Sequence, residues 1–526
     1  MDESVAVGRG TVSLFGAGLV QLVANTLYYV ILTNLLHSTL EVGVVTSLNI
    51  LIWFFVLICV FAEPIVYGSP IPAPLAVLKF VPEFLAKNDR NGAAKVFRAS
   101  LMATMLVGLV VAGFLAALPY LVIPLLGGQA VLPEFVRLSA IDILVLSVSQ
   151  ICLGVVVALG DTQSGALYII IWSFVRYTLA SILLVPHGIP GILVGWILGD
   201  LVLLLLALQK TMRRLGGQVG ASSFSAKDLA RYSLYTLFAT VMGFVINQAD
   251  RLITLSEQGL SRLAIYNTAM VAASIASSAP YALINVLLPV VVALFASNRM
   301  NDLHAIIRSY SRYVSIFVMP IAFGLAAVME IPLRVFGPDY VAGLLPAVIG
   351  SVATGLTALG TIYAGVLLAL GKLRWYTAAN LLGLVALLVV AVTLTPVLGL
   401  SGPALGRASL MAVSAIIFAW ATYKTGIFEI DFRAYVITIV CSTIMMLVVF
   451  GLQSVFHSFL VKILMLPVIV IIGLLVYIGS LRVFRLLTVS DIDLIRDLMP
   501  DRMRVILPIV SRVVGLQYDR SKGNDL

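Results

Sequence analysis

The stretch INQADRLITL, residues 246–255, sets Asp250 beside Arg251 inside an apolar run long enough to cross a membrane. An ionised side chain at the bilayer centre costs roughly 2.5–3.5 kcal/mol on insertion scales, so such residues mark function or pairing. Glu63, Asp142, Arg176, Asp200 and Arg407 also fall within apolar runs. Two kinds of chemistry account for them. They pair across helices, Arg176 with Asp200 and Arg251 with a nearby carboxylate, or they line a watery cavity that receives a charged or hydroxyl-rich cargo. Buried pairs often do no better than apolar substitutes, so tying helices together explains them weakly and lining is the favoured reading.

Asn247 lies three residues before Asp250 and four before Arg251, which places all three on one polar stripe of a helix. Asn25 sits in the first apolar run, and Tyr266 and Asn267 open the eighth. Amide, hydroxyl and aromatic groups suit sugar recognition, and each also suits an interhelical hydrogen bond.

Other chemistry is missing from the sequence. There is no phosphate-cradling glycine loop ending in Lys-Ser/Thr and no HExxH, and His37, His187, His304 and His457 are scattered without ligand spacing. No nucleophile elbow or paired-carboxylate site is present, and no loop is long enough to hold a catalytic domain. Neither an enzyme, a cofactor nor a metal is expected. Cys59, Cys152 and Cys441 all lie in apolar runs and read as packing residues.

The elements that position these groups follow from composition. Of 526 residues 61% are hydrophobic and 11% charged, too few charges to clothe a soluble protein with that much apolar side chain. The apolar runs are continuous rather than alternating, which excludes a β-barrel. The expectation is an all-α integral membrane protein with fourteen transmembrane helices: 10–34, 42–66, 98–119, 136–159, 164–185, 189–209, 232–255, 264–294, 314–332, 340–368, 375–395, 402–423, 434–454 and 460–481. Residues 121–126 read as an extracellular turn. The N-terminal stretch lacks the basic region and cleavage site of a signal peptide, so the first span is expected to stay attached.

With the N-terminus inside, 26 of the 33 lysines and arginines fall on the cytoplasmic side, which sets both termini there. The net charge of +9 is then mostly attraction to anionic lipid headgroups. Nucleic acid is a poor partner for basic residues spread over short loops.

The chain also repeats. ALG at residues 158–160 returns at 369–371, and Gly188, Gly191 and Gly195 return as Gly399, Gly402 and Gly406, always 211 residues on. A unit of six spans is even, so both copies keep the same orientation. This predicts two parallel six-helix lobes, 1–220 and 221–431, followed by two additional helices in 432–484 and a cytoplasmic amphipathic tail, 485–526. In the tail Ser490 is an N-cap candidate, Ile492, Ile495, Leu498 and Met499 recur at helical spacing, and Pro500 and Pro508 interrupt. The Gly191-Gly195-Gly199 series and Gly402-Gly406 offer close helix approach. The proline-rich stretch from Glu63 to Phe80 reads as a re-entry turn or a hinge.

Fourteen spans as six, six and two, with NQADRLITL in span seven and AIYNTAMVAA (264–273) opening span eight, resemble polysaccharide flippases. These belong to the multidrug/oligosaccharidyl-lipid/polysaccharide exporter superfamily. FGPDYVAGLLPAVIGS (336–351), ALGKLRWYTAANLLGLV (369–385) and PVLGLSGPALGRA (396–408) are also similar to its recurrent segments, and DIDLIRDLMP (491–500) is similar to tails of archaeal members. The likeness covers about residues 10–425 and is diffuse.

The resemblance implies a flippase that moves a polyprenyl-(di)phosphate-linked oligosaccharide from the cytoplasmic to the outer leaflet of the cell membrane by alternating access. The partners would be the polyprenyl-linked glycan, membrane lipids and glycan-assembly enzymes. By position, Arg176, Arg251 and Arg407 would hold phosphate or acidic sugars, with Asn25, Asn247, Tyr266 and Asn267 as further cavity residues. Asp250, Asp200 and Asp142 would be coupling or structural acids. The alternative is a multidrug cation antiporter of the same superfamily, for which acids should govern the cavity. An integral-membrane glycosyltransferase or polymerase would need a large extramembranous loop, and none is seen.

Overall fold

A computed structural model describes residues 2–36, 38–60, 75–217, 220, 222, 224–277, 280, 287, 290–456 and 458–486. The expected turn from Glu63 to Pro74 and the tail from residue 487 lie outside them, as does most of 278–289 in the expected eighth span.

Among the described residues the chain is helical with no strand. The helices are α1 (Asp2–Leu36), α2 (Thr39–Val60), α3 (Leu75–Ala86), α4 (Arg90–Ala117), α5 (Pro133–Ala158), α6 (Thr162–Leu215), α7 (Ala226–Gln258) and α8 (Leu260–Ser274). After them come α9 (Met300–Val328), α10 (Glu330–Phe336), α11 (Leu344–Ala369), α12 (Leu373–Leu398), α13 (Ser401–Lys424), α14 (Phe432–Val455) and α15 (Phe459–Val483). The expected turn after Pro119 is a series of short 3-10 turns.

Eleven helical stretches among the described residues are long and apolar enough to span a bilayer. One of them, α6, is two passes, because Gly188 at φ 62° and ψ −140° breaks it between Pro186 and Pro190. That break falls where the sequence ends its fifth span and begins its sixth. The 33-residue α7 is not among those eleven.

By contact the chain divides into two compact units. The first comprises Met1–Ala272, Leu333–Pro346 and Leu384–Arg407. Here α5 and α1 pack along α6, and α4 and α2 along α5. Lipid tails are as apolar as leucine, so close contact and hydrogen bonds, not water exclusion, hold helices together in a membrane. The α6 fold-back shows how. A Cβ added at Gly195 would stand 2.4 Å from the Ala180 backbone, and one at Gly199 would stand 2.5 Å from Arg176 Cα. The two arms of α6 therefore touch backbone to backbone, at a distance only glycine allows. The same device recurs 211 residues on, where a Cβ at Gly406 would meet Ala391 at 2.7 Å.

Left-handed turns recur as well. Gly160 and Gly371, and Gly188 and Gly399, share positive φ at the offset of 211, while Asn88 and Asn298, and Gly127 and Gly337, do so at 210.

The second unit comprises Ala273–Pro332, Ala347–Gly383 and Ala408–Leu526. There α9 packs on α14, and α14 on α15, around Met319, Phe323, Cys441, Met445 and Tyr477. Tyr477 Oη donates to the Ile316 carbonyl at 2.8 Å, Gln453 Nε2 to that of Ala327 at 3.0 Å, and Lys462 pairs with Glu330 at 2.9 Å. All three cysteines are buried and unbridged.

Between α5 and α6, Asp161 caps the new helix by accepting from the Ser164 amide at 3.2 Å, and its other oxygen meets Lys210 Nζ at 2.7 Å. The hydrogen bond from Lys210 holds its carboxyl below the usual carboxylate range. A depressed folded-state value adds stability above the unfolded value of about 3.9, and that stability is lost as pH falls through the folded value. Asp161→Asn keeps the cap but removes the charge. It should lower the melting temperature slightly at pH 7, by no more than about 1 kcal/mol of stability. The gap should close below about pH 4; a gap independent of pH in thermal melts of the purified protein would contradict the ion pair.

Candidate functional site

The fold-back of α6 does more than pack two arms. With Gly199 against Arg176, the next residue, Asp200, arrives beside the Arg176 guanidinium. Arg176 Nη1 donates to Asp200 Oδ2 and Nη2 to Asp142 Oδ2 at 3.3 Å, the latter reaching across from α5. Trp172 Nε1 donates to Asp200 Oδ1 at 2.6 Å. The indoles of Trp196 and Trp172 lie 5.0 and 5.7 Å from the guanidinium carbon, within reach of cation–π attraction. Arg176 is only 3% exposed and both carboxylates are fully buried. The second oxygen of Asp142 has no hydrogen-bond partner. Two acids therefore share one base.

A second cluster joins α7, α8 and Arg407. Asp250, 2% exposed, accepts from Tyr266 Oη at 2.9 Å. Its other oxygen lies 4.0 Å from Arg407 Nη1 and takes no hydrogen bond. Arg407 Nη1 donates instead to the carbonyls of Ile246 (2.9 Å) and Asn247 (3.3 Å).

Arg251 is one residue on, about 100° around the helix, and its company is different. Its Nε donates to Asn267 Oδ1 at 2.7 Å, and its Nη1 to Gln248 Oε1 and the Asn247 carbonyl, both at 3.1 Å. Asn267 in turn donates to Tyr29 Oη on α1 at 3.1 Å. Among the described residues no carboxylate lies within ion-pair distance of Arg251.

Both arginines, 176 and 251, face a cavity of about 360 Å³ lined by α1, α2, α6, α7 and α8 of the first unit. That volume lies in the usual range for ligand pockets. Asn25, Asn247 and Asn267 also line it. Tyr266, Asp250, Asp200, Asp142 and Arg407 are not on its wall; the acids stand behind it, against the arginines or Tyr266.

Sequence reasoning did not single out Gln21, Tyr28 and Tyr29 on α1, Asn49 and Trp53 on α2, Trp172, Tyr177 and Trp196 on α6, or Gln248 on α7, all of which line the cavity. The signal was present at helical spacing: Gln21, Asn25 and Tyr28 on one face, Thr46, Asn49 and Trp53 on another. Tyr28 and Tyr177 stack with centroids 4.9 Å apart, and the buried Gln21 Oε1 has no hydrogen-bond partner. Aromatic faces offer apolar area with polar tips, and amides offer both donors and acceptors. Among the described residues no group of three His, Cys, Asp or Glu could hold a metal ion.

The three-residue charge cluster predicts a specific stability pattern. Arg176→Met leaves two buried carboxylates with no counter-charge and should cost about 3–5 kcal/mol. Adding Asp142→Asn and Asp200→Asn to the same chain should restore most of that loss. Thermal melts of the purified variants check it, and equal melting of the single and triple variants would show that the cluster is not electrostatically closed.

Comparison with known proteins matches this architecture. Residues 85–339 match the family described as polysaccharide biosynthesis protein. No curated protein matches the chain in sequence. Among solved structures, a lipid II flippase, MurJ, in an inward closed conformation superposes with a TM-score of 0.65 at 13% identity, covering 90% of this chain and 98% of its own. An inward-facing multidrug resistance MATE family transporter of the MOP superfamily gives 0.64 at 14% identity, covering 79% and 98%. An outward-facing conformation of a MATE family transporter gives 0.57 at 14% identity, covering 80% and 96%. At such identities these likenesses establish the fold. The chain is thus a multi-span membrane protein with the MATE and MurJ transporter architecture, and nearly half of it carries the sequence pattern of the polysaccharide biosynthesis family.

Proposed function

We propose that this chain is a flippase that moves a polyprenyl-linked oligosaccharide from the cytoplasmic to the outer leaflet of the cell membrane, with its site opening alternately to each face. The observation that carries the reading is the make-up of the cavity wall. Among the described residues it holds two arginines and no carboxylate, surrounded by amides, tyrosines and tryptophans.

A glycan head cannot cross hydrocarbon unaided, because each polar group stripped of water without a new partner carries its own penalty. Amides of Asn25, Asn49, Asn247 and Gln248 replace water for hydroxyl groups. The rings of Trp53 and Tyr28 meet the apolar faces of sugars. The guanidinium groups meet the negative charge of the carrier linkage. The polyprenyl chain, as apolar as the surrounding lipid, stays outside in the bilayer. In this reading the set binds and releases its cargo, and the protein acts as a carrier.

The excess of lysine and arginine in alternate loops supports cytoplasmic termini. Residues 1–220 and 221–431 serve in this reading as duplicated halves, and glycan-assembly enzymes on either side of the membrane as partners. A drug-cation antiporter shares the fold, but cations are drawn by acids, and Asp142, Asp200 and Asp250 are withheld from the wall.

The test is purified protein in liposomes containing a fluorescent polyprenyl-linked glycan, with a membrane-impermeant quencher reporting leaflet exposure. Protein-dependent exchange of the label between leaflets, reduced at least about tenfold by the triple variant Asn25→Leu, Asn49→Leu and Asn247→Leu, is the expected result. Absence of exchange, together with efflux of a cationic dye from the same vesicles, would replace this reading with the antiporter.

A further inference from the structure

Three arginines enter this region of the fold, and their charges are not equivalent. Arg176 is on the cavity wall, but Asp142 and Asp200 both hold it, so its charge is matched before any cargo arrives. Arg407 is off the wall, with its guanidinium on the Ile246 and Asn247 carbonyls and its nearest carboxylate, on Asp250, 4.0 Å away. Among the described residues, Arg251 alone combines a place on the wall with acceptors that are all neutral: Asn267, Gln248 and the Asn247 carbonyl.

Neutral acceptors aim a guanidinium without cancelling it. Nε and Nη1 of Arg251 are engaged, whereas Nη2 makes no hydrogen bond among the described residues. One cationic edge with free N–H groups therefore remains for a ligand, held in register by three fixed partners. Charge-assisted bonds of this kind to phosphate oxygens are the strong ones.

We propose, resting on the flippase reading, that Arg251 is the anion-binding residue of the cavity and that it selects a carrier joined to its glycan through a single phosphate. A phosphodiester between polyprenol and sugar carries one negative charge, which one unopposed guanidinium balances. A diphosphate linkage carries two. The second would find no free cation on the wall among the described residues. A buried charge left without its counterpart costs far more than a solvated one, so the count of free cations becomes a count of phosphates.

The experiment uses the full chain in lipid nanodiscs and two matched probes, a short polyprenyl phosphoryl glucose and the corresponding polyprenyl diphosphoryl glucose, with binding read by quenching of intrinsic tryptophan fluorescence. The wild-type protein should prefer the monophosphate probe by about tenfold or more. Arg251→Gln should weaken monophosphate binding by a similar factor and erase the preference, while Arg251→Lys keeps the order of the two probes. A melting curve checks that each variant is folded, and the wild-type comparison stands by itself if Arg251→Gln is not. Equal binding, a preference for diphosphate, or a preference that survives Arg251→Gln would overturn the inference and leave the flippase reading in place. If neither probe binds and neither is moved between leaflets, the flippase reading falls and the inference goes with it.

Discussion

The site depends on one steric constraint, the backbone contact between the two arms of α6. Gly188 turns the chain back on itself, and Gly195 and Gly199 let the returning arm lie against Ala180 and Arg176. Any Cβ at those two glycines would hold the arms apart, and the Asp200 carboxylate would no longer meet Arg176. Without that partner, Arg176 would bring an uncompensated charge into the helix packing. The small residues thus fix an electrostatic arrangement as well as a packing distance. The indoles of Trp172 and Trp196 then enclose the guanidinium, so that a charged residue can sit on a cavity wall while being almost wholly covered.

The adjacent Asp250 and Arg251 follow a different logic. Neighbours on a helix point about 100° apart, so an acid and a base side by side need not neutralise each other. Asp250 turns toward Tyr266 and Arg407, and Arg251 turns toward the cavity. The Asn247 carbonyl accepts from both Arg251 and Arg407. The side of α7 away from the cavity therefore carries an acid that faces Arg407 of α13, and the cavity side keeps a cation with only neutral partners. This is how a chain so apolar retains both residues in one run: each meets a separate set of partners.

The sequence made the helical architecture and the importance of its buried charges legible, because length, hydropathy and the cost of isolated charges are local properties. The spacing of the left-handed glycines was legible for a related reason. Glycines at positive φ cannot drift freely, and Gly160, Gly188, Gly371 and Gly399 preserve the spacing. The pairing of Arg176 with Asp200 could be weighed from sequence, but the participation of Asp142 could not, since it depends on how α5 crosses α6. The aromatic wall was harder still. Tyr28, Trp53 and Trp196 have the same helical spacing as ordinary core residues, and only the position of neighbouring helices decides whether a ring meets a leucine or an opening. Tyr266 shows the converse, for a residue with suitable chemistry is fully occupied by Asp250 behind the wall.

In the proposed flippase reading a carrier also has to let its cargo go, and a wall built in this way meets that requirement. Two or three unopposed arginines would hold a phosphate strongly in a medium of low dielectric constant and would deepen the bound state on both sides of the membrane alike. Uniform tight binding slows release without helping passage. Matching Arg176 with two acids lowers the cationic potential of the site, and distributing recognition over amides and aromatic rings spreads affinity across many weak contacts. Such contacts can be exchanged for water one at a time as the site opens. In the same reading the single uncompensated charge on Arg251 would supply discrimination with little excess affinity, which is the balance that moving a polar head through a membrane requires.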